Sequence, residues 1–308
     1  MAHRGWEAEL KALRSEAHAS GRDRELRAAA ILQGALADLA PANAEDCLRQ
    51  IMAAGRRVIA AQPASAAVFR LVNDMLWAAS QGTDADAMRT RALASLAERY
   101  EAGRAAQQAL ADQAGAWLAR YPAVMAYSRS EALVAALLGA QARRKDLAVV
   151  CGESRPGLEG QLLAQELGSA GVPVTLGIDM ALFGWLPTVA ALIVWSEGVS
   201  ALGLAVKVGA RAMLEAAANR GIPRIALATT IDFLPAEYVS TPEQPAADPD
   251  EIMPPTKNVA VRNQTLEAAP LELVSFLLTE GGRMDLPAVR DALAALQVFP
   301  GLVGVPGR

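Results

Sequence analysis

Beyond residue 122 the sequence alternates short apolar runs with helical stretches, and this pattern limits the fold of that part of the chain. Helix-forming stretches lie at 158–170 and 207–219. The apolar runs are bounded by Gly or Pro and comprise LAVVC (147–151), VPVTLGI (172–178), AALIVW (190–195) and IPRIALAT (222–229). Continuous apolar strands that alternate with helices are typical of a parallel sheet covered on both faces. The pattern predicts a doubly wound α/β architecture.

The residues before 121 have a different composition, because almost all of them are helix formers with apolar side chains at helical spacing. Asp84 can cap a helix that continues to about residue 120 without a proline. We therefore predict an α/β protein with a helical domain at 1–120, ending in a long connecting helix, and a doubly wound parallel-sheet domain at 121–308.

Three further expectations concern the region after residue 238. The segment at 239–258 is rich in Pro, Thr and acidic residues, which is typical of a surface loop. NVAVRN (258–263) is predicted to form a last strand, and 270–278 is predicted to form a helix.

Ligands of open parallel sheets bind at the carboxyl ends of the strands. Function should therefore be sought in the loops near Gly152, Asp179, Ser196 and Thr230.

The scarcity of His and Cys limits the possible chemistry. The chain has two residues of each type, which excludes a Cys/His zinc site, a multi-histidine metal centre and a disulfide framework. Both histidines, His3 and His18, lie near the N-terminus, so a catalytic triad is not expected. The sequence contains no GxGxxG or Walker-type loop. No metal or cofactor is predicted, and any chemistry must use carboxylates, Lys, Arg, Ser, Tyr or a lone Cys.

Charge and hydropathy exclude two further classes. The formal net charge is -4 and no run of Lys or Arg forms a basic stripe, so direct nucleic-acid binding is not expected. Apolar stretches such as 189–195 are much shorter than the roughly 20 residues that span a bilayer. The N-terminal residues lack the apolar core of a signal peptide. These observations predict a cytoplasmic protein with reduced cysteines.

The segment GESRPGLEG directly follows the run LAVVC and is a candidate anion site. The strand would deliver Glu153, Ser154 and Arg155 to the carboxyl edge of the sheet. Pro156 and Gly157 would then start a helix whose free N–H groups favour an anion, and the guanidinium of Arg155 matches a phosphate. The alternative is that Glu153 and Arg155 pair with each other and cap the helix.

Two other segments carry polar residues at positions expected to reach the same edge. Glu197 follows a buried strand, and Glu197 and Lys207 could form a carboxylate and ammonium pair around a substrate. The alternative is a capped helix with a solvated lysine. Ser128 and Arg129 precede a helix and are candidates for phosphate contact, whereas ordinary N-capping by Ser128 or Ser130 is the alternative.

Taken in order, several segments resemble one known family. They are SGRDREL, AQPASAAVFRLVND, AYSRSEAL, ESRPGLEG, Asp179 at the end of VPVTLGID, EGVSALGLAVKVG and VAVRNQTLEAAPLELVSFLLTEGG. The chain resembles the initiation-factor-2B-related family. That family contains the alpha-, beta- and delta-type subunits of the eukaryotic guanine-nucleotide exchange factor, methylthioribose-1-phosphate isomerase and ribose-1,5-bisphosphate isomerase.

The resemblance implies a helical N-terminal domain, a Rossmann-like C-terminal domain and a pocket between them for a phosphorylated sugar or nucleotide. It also implies a homodimer or a higher homo-oligomer. The residues that match the family's binding segments are Arg155, Glu159, Gly160, Asp179 and Lys207.

The chain departs from the isomerases of this family at the positions expected to react. Ala126 occupies the position of their Cys, Glu197 that of their Asp, Val206 that of an Asn, and Gln62 that of an Arg. Glu in place of Asp keeps the acid but moves it by one methylene, on the order of 1 Å, which can cost about 10²-fold in rate.

The first functional hypothesis is therefore binding of a phosphorylated sugar or nucleotide by an alpha-like regulatory protein. The alternative is an aldose-ketose isomerase that acts on ribose 1,5-bisphosphate or methylthioribose 1-phosphate. In that case Glu197 is the acid-base group, and Cys151 or Tyr127 supplies the second group. Cys151 has no His to activate it, so a structural role is favoured. A purely structural subunit is a weaker third reading because ESRPGLEG is retained.

Overall fold

The computed structural model describes residues 5–16, 19–235, 238, 247–254 and 256–303, so His3, His18 and much of the expected surface loop lie outside the described residues. The first described part is a helical bundle. It consists of α1 (Gly5–Arg14), α2 (Gly21–Ala37), α3 (Ala44–Ala61), α4 (Ala66–Ser80) and α5 (Ala85–Leu118). α5 is a long helix of 34 residues, and the Asp84 side chain caps it by accepting the N–H of Ala87. None of the described helices has the length and apolar character required to cross a membrane.

The core of the bundle includes side chains from the distant C-terminal part of the chain. Phe69 of α4 stacks on Tyr238 with 3.6 Å between ring centroids. Phe299 packs edge-on against Trp77 at 5.3 Å. Asn73 accepts the N–H of Phe299 at 2.7 Å and donates to the carbonyl of Gln297 at 3.1 Å. The last described segment is therefore attached to the helical bundle rather than to the sheet.

The second part is a mixed sheet with helices on both faces. Its strands are β1 (Ala123–Tyr127), β2 (Ala148–Gly152), β3 (Val174–Gly177), β4 (Ala191–Ser200), β5 (Gly203–Lys207), β6 (Arg224–Leu227), β7 (Leu266–Ala269), β8 (Phe276–Thr279) and β9 (Gly282–Met284). The order is β3-β2-β1-β4-β6-β8-β9. All neighbours in this order pair in parallel except β8 and β9. β5 pairs antiparallel with the end of β4 and with β7.

The helices of this part are α6 (Glu131–Arg143), α7 (Glu159–Ser169), α8 (Leu182–Trp185), α9 (Ala210–Ala218) and α10 (Leu286–Ala294).

Alternate side chains of the central strand β1 enter different apolar cores on the two faces of the sheet. Val124 and Ala126 of β1 belong to the apolar cluster that contains side chains of α5 and α6. Met125 and Tyr127 belong to the opposite cluster, which contains Met213 of α9. The side chains alternate between the two faces with a period of two residues, and helices cover both faces. This arrangement confirms the predicted doubly wound fold class.

Two sequence predictions after residue 257 are wrong. NVAVRN does not form a strand, and the strand β7 begins later, at Leu266. Val259 makes only an isolated bridge to Thr256. The predicted helix at 270–278 is a short 3-10 turn followed by β8, which pairs with β6 in the buried part of the sheet. A short apolar run such as FLL fits a buried helix or a buried strand equally well by periodicity, and here sheet pairing decides.

Candidate functional site

A cavity of about 300 Å³, called the main cavity below, lies between the helical bundle and the carboxyl edge of the sheet. Ala19, Ser20, Asp23 and Arg24 line it from the bundle. From the sheet side it is lined by Ser128, Arg129, Gly157, Glu159, Leu162, Trp195, Glu197, Lys207, Thr265 and Leu266. The location agrees with the general rule that open parallel sheets bind ligands at the carboxyl ends of their strands.

Glu197 connects the two parts of the protein at this cavity. One carboxylate oxygen, Oε2, accepts the N–H of Gly21, the first residue of α2, at 2.8 Å. The other oxygen, Oε1, accepts the indole N–H of Trp195 at 3.1 Å. Burial raises the pKa of Glu197, and the positive charge of Arg24 opposes this shift. The carboxyl group is therefore held in a fixed position but is easier to protonate than an exposed glutamate.

Lys207 and Arg129 supply positive charge to the cavity wall, and each contacts a carboxylate. Lys207 ends β5, is almost fully buried, and forms an ion pair with Glu159 at the start of α7. Arg129 makes two hydrogen bonds with Glu166 of α7, at 2.6 and 3.1 Å. Each cation has further N–H donors for a ligand besides those that bind its carboxylate partner, since an ammonium group has three donors and a guanidinium group has five.

The segment after β1 turns sharply before α6 begins. Ser128 adopts a φ of 79°, in the left-handed region, and lies on the cavity wall. Ser130 is the residue that caps α6, because its hydroxyl accepts the N–H of Leu133 at 3.0 Å. The cap that the sequence left open between two serines is therefore assigned to Ser130, which leaves Ser128 for the cavity.

The loop from Gly152 to Gly160 reaches the main cavity at Gly157 and Glu159, but its other predicted site residues, Glu153, Arg155 and Gly160, do not line the cavity. Asp179 accepts the N–H groups of Ser154 and Arg155, both at 2.8 Å, and so fixes the loop. The guanidinium of Arg155 is exposed and donates to the carbonyl of Glu251 at 3.0 Å. Because the carboxylate of Asp179 accepts two consecutive backbone N–H groups, it stabilises the conformation of this loop from outside the main cavity.

Glu153 and Gly160 are also parts of the loop framework. The N–H of Glu153 donates to the carbonyl of Gly177, and the carbonyl of Glu153 accepts the N–H of Gly160 at 3.3 Å. A Cβ atom added to Gly160 would lie 1.8 Å from the carbonyl oxygen of Gly152, so only glycine fits there. The structure thus brings together five predicted residues on the cavity wall. It places three others in the adjacent loop and a fourth, Asp179, against that loop. The first group is Ser128, Arg129, Glu159, Glu197 and Lys207. The second group is Glu153, Arg155, Gly160 and Asp179.

The two groups considered as second reaction partners lie away from the cavity wall. Cys151 is buried, and its thiol lies 3.9 Å from the carbonyl oxygen of Gly160. Burial raises the pKa of this thiol to about 11. The hydroxyl of Tyr127 donates to the carbonyl of Val208 at 2.9 Å, and burial raises its pKa as well. Both groups are held in the neutral form by their surroundings.

Three of the four positions that differ from the expected isomerase pattern have structural roles here, whereas the fourth, Glu197, lines the main cavity. Ala126 is fully buried in the core on the α6 face of the sheet. Val206 is buried in the opposite core. The side-chain amide of Gln62 donates to the carbonyl of Leu13, in the last turn of α1, and to the carbonyl of Glu16, just after that helix.

Sequence reasoning missed two residues of the site. Arg24 was not singled out, although it lies in the segment SGRDREL, and it reaches the main cavity only because α2 packs over the sheet edge. Asp232 lies in an annex of about 30 Å³ that shares Ser20, Asp23, Trp195 and Glu197 with the main cavity. Burial raises the pKa of Asp232 to about 7, while the hydroxyl of Thr229 donates to its carboxylate. Its position after the strand 222–229 was the available signal.

A helical bundle that closes over the carboxyl edge of a doubly wound sheet, with a charged cavity between them, defines a Rossmann-like α/β protein. The profile described as the Initiation factor 2 subunit family matches residues 18–286. The chain belongs to this family, and the family resemblance identified from the sequence motifs is confirmed.

Comparison with individual proteins gives relatives of two kinds. The ribose 1,5-bisphosphate isomerase of Archaeoglobus fulgidus is 30% identical over 166 residues, which cover 52% of each chain. The translation initiation factor eIF2B subunit alpha of Caenorhabditis elegans is 29% identical over 182 residues, which cover 57% of this chain and 58% of the relative. In these two alignments the chain spans about half the length of the curated relatives it matches.

The fold extends over nearly the whole chain. The crystal structure of the Pyrococcus horikoshii OT3 translation initiation factor eIF-2B superposes with a TM-score of 0.73. The superposition covers 93% of this chain and 98% of that one, at 19% sequence identity. At this identity the likeness establishes the fold.

Proposed function

We propose that the protein binds a phosphorylated sugar or nucleotide in the main cavity, as an alpha-like member of its family. The observation that carries the proposal is that three cationic side chains, Arg24, Arg129 and Lys207, line one cavity. Phosphate oxygens are recognised by such guanidinium and ammonium groups. A volume of about 300 Å³ falls in the range of small-molecule pockets.

The remaining wall fits the other half of such a ligand. Ser20, Ser128 and Thr265 offer hydroxyl groups, and the carboxylates of Glu159 and Glu197 offer acceptors. Sugar hydroxyls both donate and accept hydrogen bonds, so they match this mixture.

Binding is favoured over catalysis because the side chains considered as the second reacting group of an isomerase do not line the cavity. Cys151 and Tyr127 are buried, and the pKa of each is raised. The relatives named ribose 1,5-bisphosphate isomerase and eIF2B subunit alpha support the two readings about equally.

The second candidate is the isomerase itself, and one observation favours it. Glu197 lines the cavity and burial raises its pKa, and a raised pKa makes a carboxyl group a better proton donor in acid-base catalysis. We also propose that the protein forms a homo-oligomer. Exposed apolar residues on and after the edge strand β3 support this: Leu176, Ile178 and Met180.

The binding proposal is tested with a pair of substitutions that break the same ion pair from opposite sides. Arg129→Met removes the cation, whereas Glu166→Gln leaves Arg129 in place without its 2.6 Å partner. The measurement is ligand-induced thermal stabilisation by ribose 1,5-bisphosphate, methylthioribose 1-phosphate and adenosine monophosphate.

We expect at least one of these ligands to stabilise the wild-type protein and the Glu166→Gln variant, and to stabilise Arg129→Met much less. Equal stabilisation of both variants would show that Arg129 does not contact the ligand. Absence of stabilisation by all three ligands would refute the binding proposal for this class. If instead the wild-type protein converts a ligand and Glu197→Gln abolishes turnover while still binding, the isomerase candidate replaces the binding-only one.

A further inference from the structure

The annex beside the main cavity places two carboxyl groups on one small recess. Glu197 belongs to β4, and Asp232 follows β6, the strand that pairs with β4. The volume of about 30 Å³ holds about one water molecule. Both side chains line this recess, and the negative charge of Glu197 contributes to raising the pKa of Asp232.

The hydrogen bonds given to these carboxyl groups come from neutral donors. Glu197 accepts from the N–H of Gly21 and the indole of Trp195, and Asp232 accepts from the hydroxyl of Thr229. A neutral donor stabilises a carboxylate less than a cation does. The positive charge of Arg24 compensates Glu197 in part, but Arg24 also lines the main cavity, where an anionic ligand would share this charge.

The cations near Asp232 are engaged by other acceptors. Arg99 binds Glu25 at 2.6 Å, Asp74 at 2.8 Å and the carbonyl of Ile231 at 2.8 Å. The other charged groups around Asp232 and the annex come from α2, α4, α5 and α6, and from β4. They are Arg22, Asp23, Glu25, Arg70, Arg99, Glu131 and Glu197. Glu197 is also influenced by the positive charge of Arg24 on α2 and by the negative charge of Glu159 on α7.

An anionic ligand in the main cavity would add negative charge next to this pair. The main cavity and the annex share Glu197, so the anion and the carboxyl pair are neighbours. A nearby like charge favours the protonated form of a carboxyl group. We propose that Glu197 and Asp232 act as one carboxyl pair that takes up a proton when an anionic ligand binds, which makes this pair the pH-dependent element of the site.

This inference rests on the proposed anion binding, and sulfate is the probe that isolates it. Sulfate remains a dianion between pH 6 and pH 8, whereas a phosphate monoester itself titrates near pH 6. Any pH dependence of the apparent Kd then comes from the protein. The Kd is measured from thermal-shift titrations with potassium sulfate against potassium chloride of equal ionic strength.

We expect the wild-type Kd for sulfate to weaken about tenfold from pH 6 to pH 8, which corresponds to an average uptake of about half a proton per bound sulfate over this range. Asp232→Asn should reduce this change to less than about twofold. Glu197→Gln should do the same and serves as the second variant if Asp232→Asn does not fold. Asp291→Asn, at an exposed site on α10, should keep the wild-type dependence.

A histidine could produce a similar profile, and His18 directly precedes Ala19 in the sequence. His18→Gln is therefore included and should keep the tenfold change. A wild-type Kd that is constant from pH 6 to pH 8, or an unchanged dependence in Asp232→Asn, would overturn the inference while leaving the binding proposal intact. Failure of sulfate and of the sugar phosphates to bind at any pH would overturn both.

Discussion

Replacing Asp232 by Asn should change how the stability of the protein depends on pH. The pKa of Asp232 is raised from its ordinary value of 3.8 to about 7, mainly by burial. Between pH 3.8 and about pH 7 the Asp232 carboxyl group is therefore mostly protonated in the folded protein and mostly ionised in the unfolded chain. Stability falls as the pH rises wherever the folded state binds more protons than the unfolded state.

The size of the effect follows from the shift. Each pKa unit corresponds to 1.36 kcal/mol, so ionised Asp232 destabilises the folded state by about 4 kcal/mol above pH 7. At pH 5 the same group is still protonated in the folded protein, and the loss there is only about 1.5 kcal/mol. Between pH 5 and pH 8 the wild type should thus lose about 3 kcal/mol that the Asp232→Asn variant, with its uncharged amide, would keep.

Urea titrations of the two proteins at pH 5, 6, 7 and 8 measure this difference directly. We expect the free energy of unfolding of Asp232→Asn, relative to wild type, to rise by about 3 kcal/mol over this range. Asp291→Asn is the control and should shift by less than about 0.5 kcal/mol. A relative stability that is constant with pH would show that Asp232 is ionised throughout and would refute the electrostatic reasoning for the annex.

Two further pairs of substitutions test packing. Gly160→Ala should destabilise the protein by at least about 3 kcal/mol because the new Cβ would lie 1.8 Å from the carbonyl oxygen of Gly152. In the same helix Gly168→Ala meets nothing within 4 Å and should raise the melting temperature, since Ala is favoured over Gly in helices by about 1 kcal/mol. Phe299→Ala should cost about 3 kcal/mol by removing a ring from the core of the helical bundle, whereas the exposed Val303→Ala should be neutral by circular dichroism melting. Equal melting temperatures within either pair would contradict the corresponding packing argument.

The parts of the fold that could be predicted from sequence are those decided by local patterns. The helix cap at Asp84 and the apolar run that became β2 need only neighbouring residues. β8 could not be predicted because its four residues fit a helix until the pairing with β6 is known. The same limit applies to β1 and β5, which are short and were not predicted as strands.

The candidate site divides in the same way. Glu197 and Lys207 could be found because each stands near the end of an apolar run, where parallel sheets place ligand groups. The contact between Glu197 and the N–H of Gly21 joins residues 176 positions apart, and no local pattern indicates it. Arg24 and the annex depend on that long-range packing. Burial at Asp232 likewise arises from helices that are distant in sequence.

The turn that carries Asp232 also fixes the helical bundle over the sheet. Arg99 of α5 donates to the carbonyl of Ile231 at 2.8 Å, and Arg70 of α4 donates to that of Phe233 at 2.8 Å. On the sheet side, Glu280 accepts the N–H of Thr230. Because the bundle supplies part of the cavity wall, this turn determines whether both halves of the wall meet. We therefore expect a change in the charge of Asp232 to act at the point where the two halves are joined, which would couple proton uptake to the geometry of the binding site.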